Sequence, residues 1–163
     1  MAELLPFPAQ DAGGELSRDG AIIARGVARL FQNLGFSALV EFPLGIGRRV
    51  DVAGLRRDGT VAVAEVKSCL ADFRADKKWH EYLDFCDVFY FAVPEGFPQD
   101  ALPPDAGLIV ADQFGGSIVR PGPRPKLPTA RRKALTLRFA RCAAYRLRFA
   151  NDPGLPVVQD LDF

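Results

Sequence analysis

Three residues have the types and spacing for hydrolytic chemistry: Asp51, Glu65 and Lys67. The run Val61–Lys67 reads V-A-V-A-E-V-K. It begins apolar on both faces, as a central sheet strand does, and ends in a carboxylate and an ammonium. Residues i and i+2 of a strand share a face, so Glu65 and Lys67 project side by side. Charge in such a place is costly unless it is paired or bound to metal. Asp51 lies on the preceding strand, and the hairpin register decides whether it joins them. A two-residue Asp58-Gly59 turn pairs Asp51 with Val66 and faces it away from Glu65. A three-residue loop of Arg57, Asp58 and Gly59, with Gly59 left-handed, pairs Asp51 with Glu65 and Arg49 with Lys67. Both loops are common hairpin types, and a one-residue slip flips every side chain. We take the three-residue loop, because it assembles a site. Cross-strand Cβ atoms then lie roughly 5 Å apart, and the two carboxylates repel each other unless a cation sits between them. Magnesium suits such a site, as a hard ion held by one or two carboxylates with water and phosphate oxygens. It would acidify a water and polarise a phosphodiester. Lys67 would orient that water or stabilise charge developing on the phosphate. The Glu-x-Lys tripeptide alone favours a surface ion pair. Asp51 on the partner strand and the two apolar strands leading in favour a functional site.

Positioning these side chains requires a sheet and its supports. Glu15–Leu34 reads as a helix, with an apolar stripe of Ile23, Val27, Leu30 and Leu34 and Gly35 as its stop. A strand follows over Ser37–Leu44, and Gly45 and Gly47 mark a turn. Gly45-Ile46-Gly47 superficially resembles a dinucleotide loop, but a strand follows and not a helix, so it reads as a turn. Arg48–Leu55 and Thr60–Lys67 are the two hairpin strands. A helical pattern runs from after Ser68 to about Phe85, with Asp76 as an N-cap within it. Asp87–Val93 is a buried strand. A proline-containing loop over 94–106, short strands at Leu108–Ala111 and Ser117–Arg120, and a proline-rich connector Pro121–Pro128 lead to a last helix, about Thr129–Ala150. This order predicts an α/β domain over 15–150, with a mixed central sheet flanked by helices. A loose lead-in, 1–14, precedes it and an acidic tail, 151–163, follows.

The net charge of +1 conceals a strong asymmetry. Residues 1–112 carry 11 basic and 17 acidic side chains, residues 113–151 carry 10 basic and none acidic, and the tail holds three aspartates. On the last helix Arg138, Arg141, Tyr145 and Arg148 are expected on one face, with Phe139, Ala143 and Leu147 docking on the core. Such an arginine face suits phosphate contacts. Near the site, Lys77 and Lys78 could meet phosphate. Lys78 and Tyr82 share a helical face, and Trp79 or Tyr82 could stack on or bond to nucleic acid. For Trp79, core packing is the better reading. His80 and Cys86 read as packing residues.

Composition narrows the alternatives. One histidine makes a His-rich metal site or a Ser-His-Asp triad improbable. Cys69, Cys86 and Cys142 are odd in number and widely spaced, which argues against disulfides and zinc fingers and for a reducing, cytoplasmic setting. No signal peptide or membrane span is expected.

The run R-R-V-D-V-A-G-L, Arg48–Leu55, followed by A-E-V-K at 64–67, resembles the PD-(D/E)XK nuclease superfamily, whose restriction-endonuclease-like αβββαβ core has the order read above. Gly20–Phe36 is similar in layout to the opening helix of archaeal Holliday-junction resolvases. Val66–Val93, with V-K-S, D-F-R-A-D-K-K-W-H-E-Y and C-D-V-F-Y-F-A-V, and R-R-K-A-L-T-L-R-F-A-R at Arg131–Arg141 more closely resemble MmcB-type bacterial DNA-repair proteins. That resemblance covers nearly the whole chain beyond the first dozen residues. It implies Mg2+ or Mn2+ held by Asp51 and Glu65, with Lys67 beside them, and DNA as the partner, branched or single-stranded. Two positions depart from the pattern. Val50 stands where many members have proline, and Ala24 stands where the resolvase pattern has a metal-proximal glutamate. Arg25 keeps the arginine that follows, as a DNA-contacting candidate, and Glu41 or Glu15 could supply the additional acid. The expectation is a metal-dependent nuclease-like DNA-repair protein that hydrolyses phosphodiester bonds in DNA. Its alternative is a catalytically silent DNA-binding module of the same fold, acting by recruitment. An RNA- or tRNA-directed nuclease is a third reading, and a homodimer fits a small enzyme that cuts one strand per site.

Overall fold

The computed structural model describes residues 16–154. The lead-in and most of the acidic tail lie outside the described residues, as does Glu15. Helix α1 spans Arg18–Asn33, and Ser17 caps it by accepting the Gly20 N–H at 3.0 Å. It buries Ile23, Ala24, Val27 and Phe31. The expected stripe is therefore displaced at its end. Leu34 is already the C-cap and is exposed, and Phe31 fills the core in its place.

Six strands follow, in the sheet order β1 (Phe36–Pro43), β2 (Arg49–Arg56), β3 (Val61–Val66), β4 (Val88–Val93), β5 (Gly107–Ala111) and β6 (Gly116–Arg120). The first three pair antiparallel, β3–β4–β5 pair parallel, and β6 is antiparallel to β5. Every residue of β3 and β4 is buried, as the continuous apolar runs require of strands covered on both faces. The α/β class and the flanked mixed sheet are those expected.

Two apolar layers cover the sheet. On one face α1 packs over Val52, Ala62, Ala64, Tyr90 and Ile109. On the other, Leu135, Phe139 and Cys142 of α3 (Thr129–Asn151) join Val50, Val63, Tyr82, Phe89 and Phe91. The docking stripe of α3 thus has i, i+4, i+7 spacing, and it corrects the expected one. Phe139 docks, but Leu147 is 64% exposed. The helix carries leucines around its whole circumference, so composition alone did not mark its inner face.

The long helix expected after Ser68 is two shorter pieces. Helix α2 covers only Leu70–Ala75, and a 3-10 segment runs Trp79–Phe85. The break is at Asp76, whose backbone is extended and whose Oδ1 accepts the Lys78 N–H at 2.7 Å. In a 3-10 segment side chains align at i+3, so Lys78 and Tyr82 do not share an α-helical face, although both line one cleft.

A half-buried polar tie anchors α3. Arg132 grips Asp87 with both terminal nitrogens, at 2.6 and 2.7 Å, and also donates to the Gly59 carbonyl at 2.6 Å. Asp87 further accepts the N–H groups of Val61 and Leu127. The start of α3, the β2–β3 loop and the entry to β4 are thereby held together. Among the described residues, no helix is long and apolar enough to cross a membrane.

Candidate active site

The β2–β3 register pairs Val52 with Ala64 and Leu55 with Val61. Arg56 and Thr60 close a three-residue loop, with Gly59 at φ +84°. This is the register that brings Asp51 opposite Glu65. The ladder is not continued there, however. The Val66 N–H is taken by the Asp51 carboxylate, Oδ2, at 2.8 Å. Meanwhile β3 stays joined to β4, through the Lys67 N–H to the Ala92 carbonyl at 2.9 Å, and β2 stays joined to β1 as far as Pro43–Arg49. The sheet therefore forks between β2 and β3.

The pleat also reverses at the fork. On β1 both Leu39 and Phe42 face the α3 layer, and on β2 both Val50 and Ala53 do. A spacing of three replaces the strand period of two. Glu41 absorbs the change on β1 with φ +48°, the only non-glycine positive φ among the described residues. Arg146 of α3 holds this kink, donating to the Val40 and Glu41 carbonyls at 2.6 and 2.7 Å.

A cleft of about 650 Å³ opens at the fork. Its acids are Asp51, Glu65, Asp72 and Asp76, and its cations are Arg49, Lys67, Lys77 and Lys78. Leu16, Ser17 and Gly20, at the start of α1, line it as well, and so does Tyr82. Glu65 and Lys67 are buried, at 7% and 5% exposure. The Lys67 ammonium lies 2.7 Å from Asp76 Oδ2 and 3.8 Å from Glu65 Oε1. Glu65 Oε2 is buried with no hydrogen-bond partner.

The electrostatics follow from burial and repulsion. Burial raises Asp51 to about 6, against the opposing pull of the Val66 N–H and Lys67. Glu65 is pushed well above the usual carboxylate range, first by burial and then by Asp51. Burial alone would lower Lys67, but Glu65, Asp76 and Asp72 outweigh it and keep the ammonium charged. Burial would likewise raise Asp76, yet Lys67 and the Lys78 N–H hold it below its ordinary value. Burial raises the Tyr82 phenol, with Glu65, Asp76 and Asp51 adding to the effect.

The other expected site residues are placed as follows. Arg25 is exposed on α1 and is not among the cleft-lining residues. Ala24 is 1% exposed in the core between α1 and the sheet, so that position does not open on the cleft. Glu41 pairs with Arg49 at 3.3 Å and does not line the cleft. Trp79 is half-buried and packs on Phe89 and Phe91, with His80 stacked on its outer side. The expected face of Arg138, Arg141, Tyr145 and Arg148 is only partly exposed. Arg141 and Arg148 are exposed, but Arg138 and Tyr145 are half-buried, and the Arg138 guanidinium packs under Gly45. Sequence reasoning missed Asp76 as the partner of Lys67, having read it as a cap. It also missed Asp72, whose i, i+4 relation to Asp76 was a usable signal, and the β1 clamp of Arg146.

A family model described as DNA repair protein MmcB-like matches residues 8–154. The chain belongs to the MmcB-like family of DNA repair proteins. A solved structure of a protein of unknown function from Silicibacter pomeroyi is 45% identical to this MmcB-like chain. The match covers 86% of the chain and 97% of the other, at a TM-score of 0.83. No curated protein matches.

Proposed function

We propose that this MmcB-like protein is a metal-dependent nuclease of the PD-(D/E)XK type that hydrolyses phosphodiester bonds in DNA during repair. One observation carries the reading: two carboxylates, half-buried Asp51 and buried Glu65, line one cleft, and among the described residues Glu65 Oε2 is buried without a hydrogen-bond partner. A natural fold rarely leaves a buried oxygen in that state without a use. Among the described residues no group of three or more His, Cys, Asp or Glu is arranged to hold a metal ion. Asp51 and Glu65 would be the ligands, two hard oxygen donors of the kind that suit Mg2+ or Mn2+ together with water and phosphate oxygens. When bound, that ion supplies Lewis-acid activation of water and phosphate.

The chain's own residues do the rest. Asp51 and Glu65 hold the ion, and Asp51 is fixed in place by the Val66 N–H. Lys67 stays protonated at the strand end, where its ammonium offsets charge developing on the reacting phosphate. Lys77 and Lys78 on the cleft wall attract the DNA backbone. Exposed Arg141 and Arg148 extend the basic surface along α3.

The deciding experiment is a panel of duplex, single-stranded and branched DNA and RNA substrates, each with Mn2+ and with chelator, comparing wild type with Glu65→Ala. Manganese-dependent cutting of DNA that is lost in Glu65→Ala supports the reading. Tight DNA binding without cutting would instead identify a silent binding module, and cutting confined to RNA would move the substrate class.

A further inference from the structure

Lys67 is buried between two acids, and the nearer one is not the Glu65 of its own strand. Asp76, on the wall formed by the break after α2, lies at 2.7 Å from the ammonium, and Glu65 Oε1 lies at 3.8 Å. The Asp76 side chain is itself only 12% exposed, and its other oxygen is fixed by the Lys78 N–H at 2.7 Å. That second bond orients the carboxylate and interrupts the helix at this position, so chain geometry and side-chain geometry serve the same contact. A buried ammonium needs a close counter-charge. Without Asp76, the nearest one left is Glu65.

We infer that Asp76 is a positioning residue that holds Lys67 off Glu65, leaving the Glu65 carboxylate free to bind a divalent cation. This rests on the proposed role of Asp51 and Glu65 as the cation's ligands. In that role Asp76 acts through Lys67 and not as a ligand. If Asp76 is removed, Lys67 closes onto Glu65 and competes with the cation for the same oxygens. Residues that orient a ligand from behind it typically cost roughly 10–100-fold in metal affinity when lost.

The test is a double-mutant cycle on Mn2+ affinity, measured calorimetrically on the full chain without DNA, in wild type, Asp76→Asn, Lys67→Met and the double variant. Asparagine keeps an oxygen for the Lys78 N–H and loses only the charge. Asp76→Ser, whose hydroxyl can also accept that N–H, serves as a second variant should asparagine fold poorly, and circular dichroism checks each protein. The expected result is a 10–100-fold loss in Asp76→Asn that disappears in the Lys67→Met background. Undiminished affinity in Asp76→Asn overturns the inference. So does a loss that persists in the Lys67→Met background, since Asp76 would then be a ligand or a general field effect. Absence of Mn2+ binding in wild type overturns the metal reading of Asp51 and Glu65 itself, and this inference with it, and is a different outcome from either.

Discussion

Replacing Asp51 by asparagine should stabilise the metal-free protein at alkaline pH, which is the reverse of what losing a hydrogen-bonded carboxylate does elsewhere. In the folded chain, burial raises Asp51 from 3.8 to about 6. A raised carboxylate pKa contributes stability that is present in full below the unfolded value and is lost as the pH climbs through the folded value. A shift of that size corresponds to a ceiling of about 3 kcal/mol. Asp51 is only partly buried by accessible area, and its charged form receives the Val66 N–H at 2.8 Å. The pull of the Val66 N–H is already contained in the value of about 6, and partial exposure reduces the effect to about 1–2 kcal/mol after solvent screening. Asparagine retains an oxygen for that N–H and never ionises. At pH 8 in chelator, Asp51→Asn should therefore melt about 2–6 °C above wild type. The gap should shrink below pH 6 and close near pH 4, where wild type is protonated in both states. Excess Mn2+ should reverse the order, raising the melting temperature of wild type and leaving the variant nearly unchanged. The single tryptophan, Trp79, packed on Phe89 and Phe91, provides the fluorescence signal for melting. A variant less stable than wild type at pH 8 in chelator, or a gap that is the same at pH 4 and pH 8, refutes the reasoning. Asp51 would then be a structural acceptor, and its charge would be satisfied without a cation.

Other substitutions probe neighbouring parts of the argument. Lys67→Met should fold and bind DNA nearly as well as wild type but cut roughly 100-fold or more slowly in single-turnover assays; full activity would remove Lys67 from the chemistry. Charge reversal at Arg141 and Arg148 should weaken DNA binding and flatten its salt dependence, whereas an unchanged salt slope would mean that this side of α3 is merely solvated. Arg132→Ala leaves half-buried Asp87 without its cation and should lower stability by about 1–2 kcal/mol in urea titration; a loss under about 0.5 kcal/mol would show the tie to be dispensable. Gly59→Ala places a Cβ at φ +84° and 3.3 Å from Arg132 Cδ, so a loss of about 1–2 kcal/mol is expected, read in the same titration.

The parts of this fold that were legible are those set by local rules. The Arg57-Asp58-Gly59 sequence left two hairpin registers open, and the one that brings Asp51 opposite Glu65 is the one observed. The apolar runs of β3 and β4 announced buried strands. What escaped depended on partners distant in sequence. Asp76 was legible as an N-cap, but its pairing with Lys67 was not, because nothing near it signals that contact. The reversal at Glu41 needed a glutamate in a left-handed conformation, which no propensity rule anticipates. The basic segment was visible, but its use was not. Arg120, Arg131, Arg132 and Arg146 already donate guanidinium N–H groups to main-chain carbonyls or to Asp87. Total charge therefore overstated the surface available to phosphate.

The fork explains how charged groups can occupy a strand end in the middle of a sheet. Had β2 and β3 stayed paired beyond Val52, main-chain bonds would have closed over the Asp51–Glu65 position. Separation requires β2 to follow β1 away from β3, and β1 can turn only if its kink at Glu41 is stable. A left-handed non-glycine residue is costly unless its surroundings impose it, and here they do, through the two carbonyl contacts of Arg146. Helix α3 thus reaches the cleft mechanically, from the far edge of the sheet, although none of its residues lines it. Its arginines then divide into two kinds. Arg141 and Arg148 are exposed, and Arg148 pairs with Asp152 at 3.3 Å. Arg146 supports the geometry from which Asp51 takes the Val66 N–H, so its influence on the acids is conformational and independent of salt.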